Sequence, residues 1–348
     1  MLPTGRIVTL GLLFTALSAG AQPKAEPIAA SDPLHAWTVG SDPAALETWV
    51  NQHLAEEKAD LEKLLAVTGP RTVANTLRPY DDAVNELTIA GNNAYVIFSV
   101  ADSAALRDKG QALAATISSA GTDLSLNQAV YRALSAVPLP SNDPATRHYL
   151  ERSLLEYRLS GVDKDDATRA RIRQLQDKIT ALSLEFGRNV ADGKLSITAT
   201  RADLEGLPDD FIARHTPAAD GTYTLTTDEP DAKPVMNFAR SADLRMRMYL
   251  AYNQRAYPRN VNVLMDLLRT RQELATTLGY PTFADLDAAD QMIGSSANIE
   301  ALLLQLDEAS RAIGKREYGE LLAFAQQQQP GLTSISTADA PYWSEQYR

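Results

Sequence analysis

The chain has 348 residues, 44 acidic and 33 basic side chains, four histidines and no cysteine, and its formal net charge is −11. The lack of cysteine excludes a disulfide framework, a thiolate zinc site, an iron–sulfur cluster and a cysteine nucleophile. The negative charge argues against a nucleic-acid partner, which needs a positive field; 45% hydrophobic with 22% charged residues suits a globular chain of one large domain or two.

Residues 1–21 read MLPTGRIVTLGLLFTALSAGA. Arg6 precedes an apolar run, Ile7 to Leu17, and Ala19 and Ala21 occupy the small-residue positions of a signal-peptidase site. The run is shorter than the ~20 residues that span a bilayer. The pattern predicts a cleaved signal peptide, a periplasmic or secreted location and no membrane partner after cleavage. Residues 22–44 read as a flexible leader, ending in Ser41-Asp42-Pro43, an N-cap followed by a first-turn proline.

Residues 45–190 read as an N-terminal helical region. Leu46, Trp49, Val50, His53 and Leu54 start a helical stripe that Leu61, Leu64 and Leu65 resume. Asp143-Pro144 opens another helix, and Gly161 is placed to end it. The longest clear helix lies near 163–190, where Ile172, Leu175, Ile179, Leu182 and Phe186 form one apolar stripe that calls for one hydrophobic partner. Residues 191–236 change character. LSITAT (195–200) and TYTLTTD (222–228) alternate as strands do, with a short helical turn between them. Helical pattern returns over 241–257, 260–278, 282–293 and 296–328. Asn260 is the expected cap of a stripe of Val261, Leu264, Leu268 and Leu278, closed by Gly279. The fold class is mainly α with a small β insert near 195–228.

Few residues combine into recognisable chemistry. His35, His53, His148 and His215 show no H-x-x-x-H spacing, so no helix offers two imidazoles to one zinc. Asp163, Asp165 and Asp166 resemble the start of a calcium loop but lack its later glycine and glutamate; helix N-terminal charge explains them better. Asp287 and Asp290 fall on one helix face. Arg240, Arg245, Arg247 and Arg255, among Tyr249, Tyr252 and Tyr257, read as an outer helix face salt-bridged to the acidic excess rather than an anion site. No catalytic, cofactor-binding or metal-binding residue is assigned from spacing alone.

Residues 236–293 are more distinctive. Ala239-Arg240, Leu244-Arg245, Arg255-Ala256, Asn260, Leu267-Leu268-x-x-Arg271, Ala275, Leu278-Gly279-Tyr280, Phe283-Ala284 and Met292 follow in that order. Upstream stand Tyr80-Asp81-Asp82-Ala83-Val84-Asn85-Glu86-Leu87, then Leu182 to Asn189, then Leu204-Glu205-Gly206-Leu207-Pro208. In this order and spacing the chain resembles the thimet oligopeptidase, oligopeptidase A and peptidyl-dipeptidase family of zinc metallopeptidases, over most of 45–348. The resemblance implies a helical channel wall, short peptides as partners, and zinc held by H-E-x-x-H, whose glutamate activates water. Residues 237–348 then read as the start of the peptidase domain.

The 348 residues contain no H-E-x-x-H, so no residue inherits those roles. Asp339 to Glu345 resembles the segment that precedes the family's catalytic region, and Tyr342, Trp343 and Tyr347 near Arg348 look like aromatics awaiting cover. The expectation is the N-terminal portion of an exported oligopeptidase, of metalloendopeptidase or peptidyl-dipeptidase type, that lacks the catalytic zinc segment, binds no zinc itself and is inactive alone. The alternatives are a non-catalytic helical peptide-binding or scaffold protein, or one chain of a split enzyme whose partner carries the C-terminal catalytic segment.

Overall fold

The computed structural model describes residues 42–140 and 143–348. The signal-like residues 1–21, nearly all of the expected leader, His35 and Ser41 lie outside them. The elements in chain order are α1 (Pro43–Leu65), a π-helical turn (Val73–Leu77), α2 (Arg78–Val100), α3 (Ala104–Ser125), α4 (Gln128–Ser135), α5 (Pro144–Ser160), α6 (Asp166–Asp192), β1 (Ser196–Ala199), α7 (Asp209–Arg214), β2 (Tyr223–Thr226), α8 (Glu229–Phe238), α9 (Ala242–Asn253), α10 (Arg259–Leu278), α11 (Phe283–Ala288), α12 (Ser296–Gln328) and α13 (Ala340–Tyr347). The mainly α class with one small insert is what forms. Strands β1 and β2 pair antiparallel, with Ser196 opposite Thr226 and Ala199 opposite Tyr223. No helix among the described residues is long and apolar enough to cross a membrane.

The chain divides into two compact units, both discontinuous in sequence. The first takes the described residues up to Leu184 together with Asp266–Gly294; the second takes Glu185–Met265 and Ser295–Arg348.

In the first unit the expected caps form. The Asp42 carboxylate accepts from the Ala44 N–H at 3.0 Å, and Asp143 accepts from the Thr146 N–H at 3.0 Å. Helix α1 buries Leu46 and Val50 against Ala90 and Ala94 of α2 and Leu113 and Ile117 of α3. A second core gathers Leu64, Tyr80, Leu134, Leu150 and Tyr157. The stripe of α6 is also real: Ile172, Leu175 and Ile179 bury against Leu267, Leu274, Ala275 and Leu278 of α10.

Helix α10 departs from the expected face. Val261, Leu264 and Leu268 are exposed, while Val263, Leu267, Leu274 and Leu278 are buried. The sequence carries two apolar stripes side by side, and the partner covers the other one. Asn260 does not cap this helix; it lies within it and sends its side chain elsewhere. Helix α9 stops at Asn253, short of residue 257, and Ala256 then turns to φ 62°, outside the helical region.

Glu57, on α1, is buried, and desolvation lifts its carboxyl above the ordinary glutamate range. A raised acid favours the protonated native state, so Glu57 contributes its stability below the unfolded-state value and loses it as pH rises through the native value. Glu57→Gln is therefore expected to stabilise the chain at neutral pH by about 1 kcal/mol. The gain should vanish in acid, where Glu57 is already protonated; an equal gain at both pH values in thermal melts would refute this cause.

In the second unit Ala199, Leu204, Phe211, Leu225, Val235, Leu244 and Met248 form one core beneath the two strands. Tyr342 and Trp343 pack on Leu321, Phe324, Ala325, Leu332 and Ile335. These two aromatics therefore find their cover within the chain, contrary to expectation, and α13 is held by that packing despite its eight residues. Tyr347 stays half exposed, its ring edge-on to Phe324. Helix α12 runs 33 residues, and among the described residues its Leu302, Leu303, Leu304, Leu306 and Ile313 are exposed.

Candidate functional site

The histidines separate as their elements do. His148 sits exposed on α5. His215 follows α7; its Nδ1 donates to the Phe211 carbonyl at 2.8 Å, and its Nε2 faces Asp231 Oδ1 at 3.1 Å. Burial raises the Asp231 carboxyl, but hydrogen bonds from the Thr226 N–H and hydroxyl, with His215, outweigh it and leave the group below the ordinary range. His53, on α1, meets Glu86 of α2. No group of three metal-donor atoms among the described residues contains two histidines.

The acidic residues have structural work. Asp165 accepts from the Thr168 N–H and hydroxyl, both at 2.9 Å, as a helix N-terminal group does, and these bonds hold its carboxyl low. Asp287 and Asp290 do not share a helix face, because α11 ends at Ala288. The Asp290 carboxylate instead pairs with Arg152 at 2.8 Å.

Arg240 and Arg247 are salt-bridged on the outer face as expected, while Arg255 makes a ring and carbonyl contact. Arg240 pairs with Glu205 at 2.5 Å, and Arg247 with Asp243 at 2.7 Å. Arg255 lies over the Tyr252 ring and donates to its carbonyl. Arg245 is the correction: it is 2% exposed and faces inward. Its Nε donates to Asp339 at 2.8 Å, and its Nη1 to the Ala239 and Arg240 carbonyls at 2.7 and 3.1 Å. Its guanidinium lies 4.1 Å from the Tyr342 ring centre. Asp339 also accepts from the Ser336 hydroxyl at 2.7 Å. One arginine thus satisfies the end of α8, the start of α13 and an aromatic face. The spacing offered a signal: Leu244 and Met248 are buried on α9, and Arg245 lies between them at helical distance from Met248.

Beside this node the Leu204–Pro208 segment closes on α8. The Arg240 N–H donates to the Glu205 carbonyl at 2.8 Å, and Gly206 turns with φ 93° against the Phe238 carbonyl.

A cleft of about 330 Å³ opens at the end of α6, where Asn189, Gly193, Tyr257 and Arg259 line it. Asn189 and Asn260 are both buried. The Asn189 amide donates to Asn260 Oδ1 at 2.8 Å, and the Asn260 amide to the Phe186 carbonyl at 3.0 Å. Asn189 Oδ1 is buried without a hydrogen-bond partner. The exposed Tyr257 phenol and Arg259 guanidinium at the rim of this cleft offer polar binding groups. This is binding chemistry. The donor set of a catalytic zinc site does not occur in these residues, since the sequence has no H-E-x-x-H and the histidines stand apart.

Residues 235–348, which build the Arg245 node, match the family model described as peptidase family M3. The chain is similar to saccharolysin of Saccharomyces cerevisiae, 29% identical over 71% of this chain and 36% of that protein. It is similar to oligopeptidase A of Salmonella typhimurium, 25% identical over 86% of this chain and 47% of that protein. It is also similar to an organellar oligopeptidase A of Arabidopsis thaliana, 27% identical over 85% of this chain and 40% of that protein. The chain spans less than half the length of these curated relatives. The relatives align over most of the chain, and the family model falls on the stretch knotted by Arg245; over these residues the chain is similar to peptidase family M3.

Proposed function

We propose that this chain is the N-terminal portion of an exported zinc-dependent oligopeptidase, of metalloendopeptidase or peptidyl-dipeptidase type, which hydrolyses short peptides. In this reading the described residues supply scaffold and peptide-binding wall, and the zinc chemistry resides in a catalytic segment outside them. The observation that carries the reading is the match of residues 235–348 to the family, within a chain that aligns with less than half of each relative. The exposed leucines of α12 support it, because a helix face of that composition is normally covered. The phenol and cation at the rim of the Asn189 cleft suit a peptide. Export rests on the signal-like residues 1–21.

The alternative of a peptide-binding or scaffold protein without chemistry draws on one observation: Tyr342 and Trp343 are already buried within the chain. A single pair of measurements separates the readings. The purified chain is expected to cleave no fluorogenic peptide with or without added zinc, and a co-expressed polypeptide carrying an H-E-x-x-H helix is expected to restore cleavage. Cleavage by the chain alone would sink the first reading. Micromolar peptide binding, with a sharp thermal transition and no restoration, would favour the second.

A further inference from the structure

Outside the family-matched residues, α1 and α2 bring three metal-type donors together. His53 and Glu56 stand one helical turn apart on α1, and Glu86 faces them from α2. One donor atom from each lies within 4.8 Å of the others. His53 and Glu86 are each 15% exposed and in contact, so their positions are set by packing. The Trp49 indole meets the His53 ring edge-on at 4.2 Å and fixes its plane. Glu56 is exposed, its carboxylate touched by the Gln52 amide at 3.2 Å.

The charge balance is the second observation. Two carboxylates converge here, and their hydrogen-bond partners are one imidazole and one neutral amide. Lys63, the cation on the next turns, donates to Asp60 at 2.6 Å, and its charge is shared among Asp60, Asp82 and Glu56. When the imidazole gives up its proton to bind a metal, it and two carboxylates carry two negative charges, which a divalent ion balances. One nitrogen with two oxygens is a zinc-type donor set. Zinc holds such donors at about 2 Å, so donors on one ion stand no more than about 4 Å apart, a distance that a rotamer change of exposed Glu56 can reach.

We propose that His53, Glu56 and Glu86 bind a divalent transition-metal ion of the zinc type, pinning α1 to α2. The proposal rests on these two helices and not on the oligopeptidase reading, and it replaces the expectation that the chain binds no zinc. It lies outside residues 235–348 and adds no step to peptide hydrolysis.

The competing account is a plain His53–Glu86 ion pair, in which Glu56 has no part. Glu56→Gln separates the two, because Glu56 is exposed and its loss leaves the helix packing intact; Glu86→Gln provides the second variant. The chain, stripped with chelator, is titrated calorimetrically with zinc chloride, and cobalt chloride is used for a visible absorption signature. The expected result is one ion per chain with a micromolar Kd, weakened at least about tenfold in each variant. Zinc is expected to raise the Tm of the parent chain and not that of Glu56→Gln. No stoichiometric uptake at 100 µM zinc, or uptake that either substitution leaves unchanged, overturns the proposal.

Discussion

Replacing Arg245 by alanine is expected to destabilise the second unit by about 3–5 kcal/mol, the range for breaking a buried ion pair from one side. The substitution leaves Asp339 charged and still largely covered, and it deprives the Ala239 and Arg240 carbonyls of their donor. It also removes the cation from the Tyr342 face. Asp339→Asn keeps an acceptor in place and leaves Arg245 its two carbonyls and the Tyr342 face, so it is expected to cost less, about 1.5–3 kcal/mol. Because the chain has two units, a single global transition is the wrong readout. Amide exchange in α9 and α13 reports the loss locally, and it should accelerate far more in the arginine variant than in the asparagine one. Equal exchange in the two variants would show that the charge pairing alone, and not the other contacts of Arg245, holds the node.

Gly206→Ala carries the second large effect. At φ 93° an L side chain is strained, by about 1–2 kcal/mol. An added Cβ would also stand 2.4 Å from the Phe238 carbonyl oxygen, a backbone atom that cannot rotate away. Overpacking of that kind adds about 1–3 kcal/mol, so a total of about 2–5 kcal/mol is expected. Gly279 supplies the control. Its φ is 96°, but nothing lies within 4 Å of its would-be Cβ. Gly279→Ala should therefore show the conformational strain alone, about 1–2 kcal/mol. Thermal melts of the two variants should differ by the packing share, and matching losses would mean that the Leu204–Pro208 segment yields to the intruding methyl.

Local signals were legible where one element carried one pattern. Helix α6 has a single apolar stripe, and its buried residues could be named without a partner in view. Asp42 and Asp143 cap their helices because a short acceptor before a first-turn proline has little else to do. Helix α10 was misread because it is apolar on two neighbouring faces, and only a packed partner decides between them. Asn260 was misread for a related reason: an asparagine near a helix start caps it unless a tertiary partner competes, and here Asn189 and the Phe186 carbonyl compete. The node itself was illegible because Asp339 lies 94 residues from Arg245. Spacing arguments reach a few turns of helix, and ion pairs across such separations are set by the fold. The same holds for His53 and Glu86, which belong to different helices separated by a π-helical turn.

The division into two discontinuous units bears on the order of synthesis. The apolar side of α6 is finished by Leu267, Leu274, Ala275 and Leu278, which emerge only after Glu185–Met265 has been made. The second unit in turn waits for Asp339 and Tyr342, which follow the first unit's last residue, Gly294. On a ribosome that delivers the chain from its N-terminus, neither unit can close before most of the other has appeared. Each unit must hold an unfinished apolar face while the other's sequence passes.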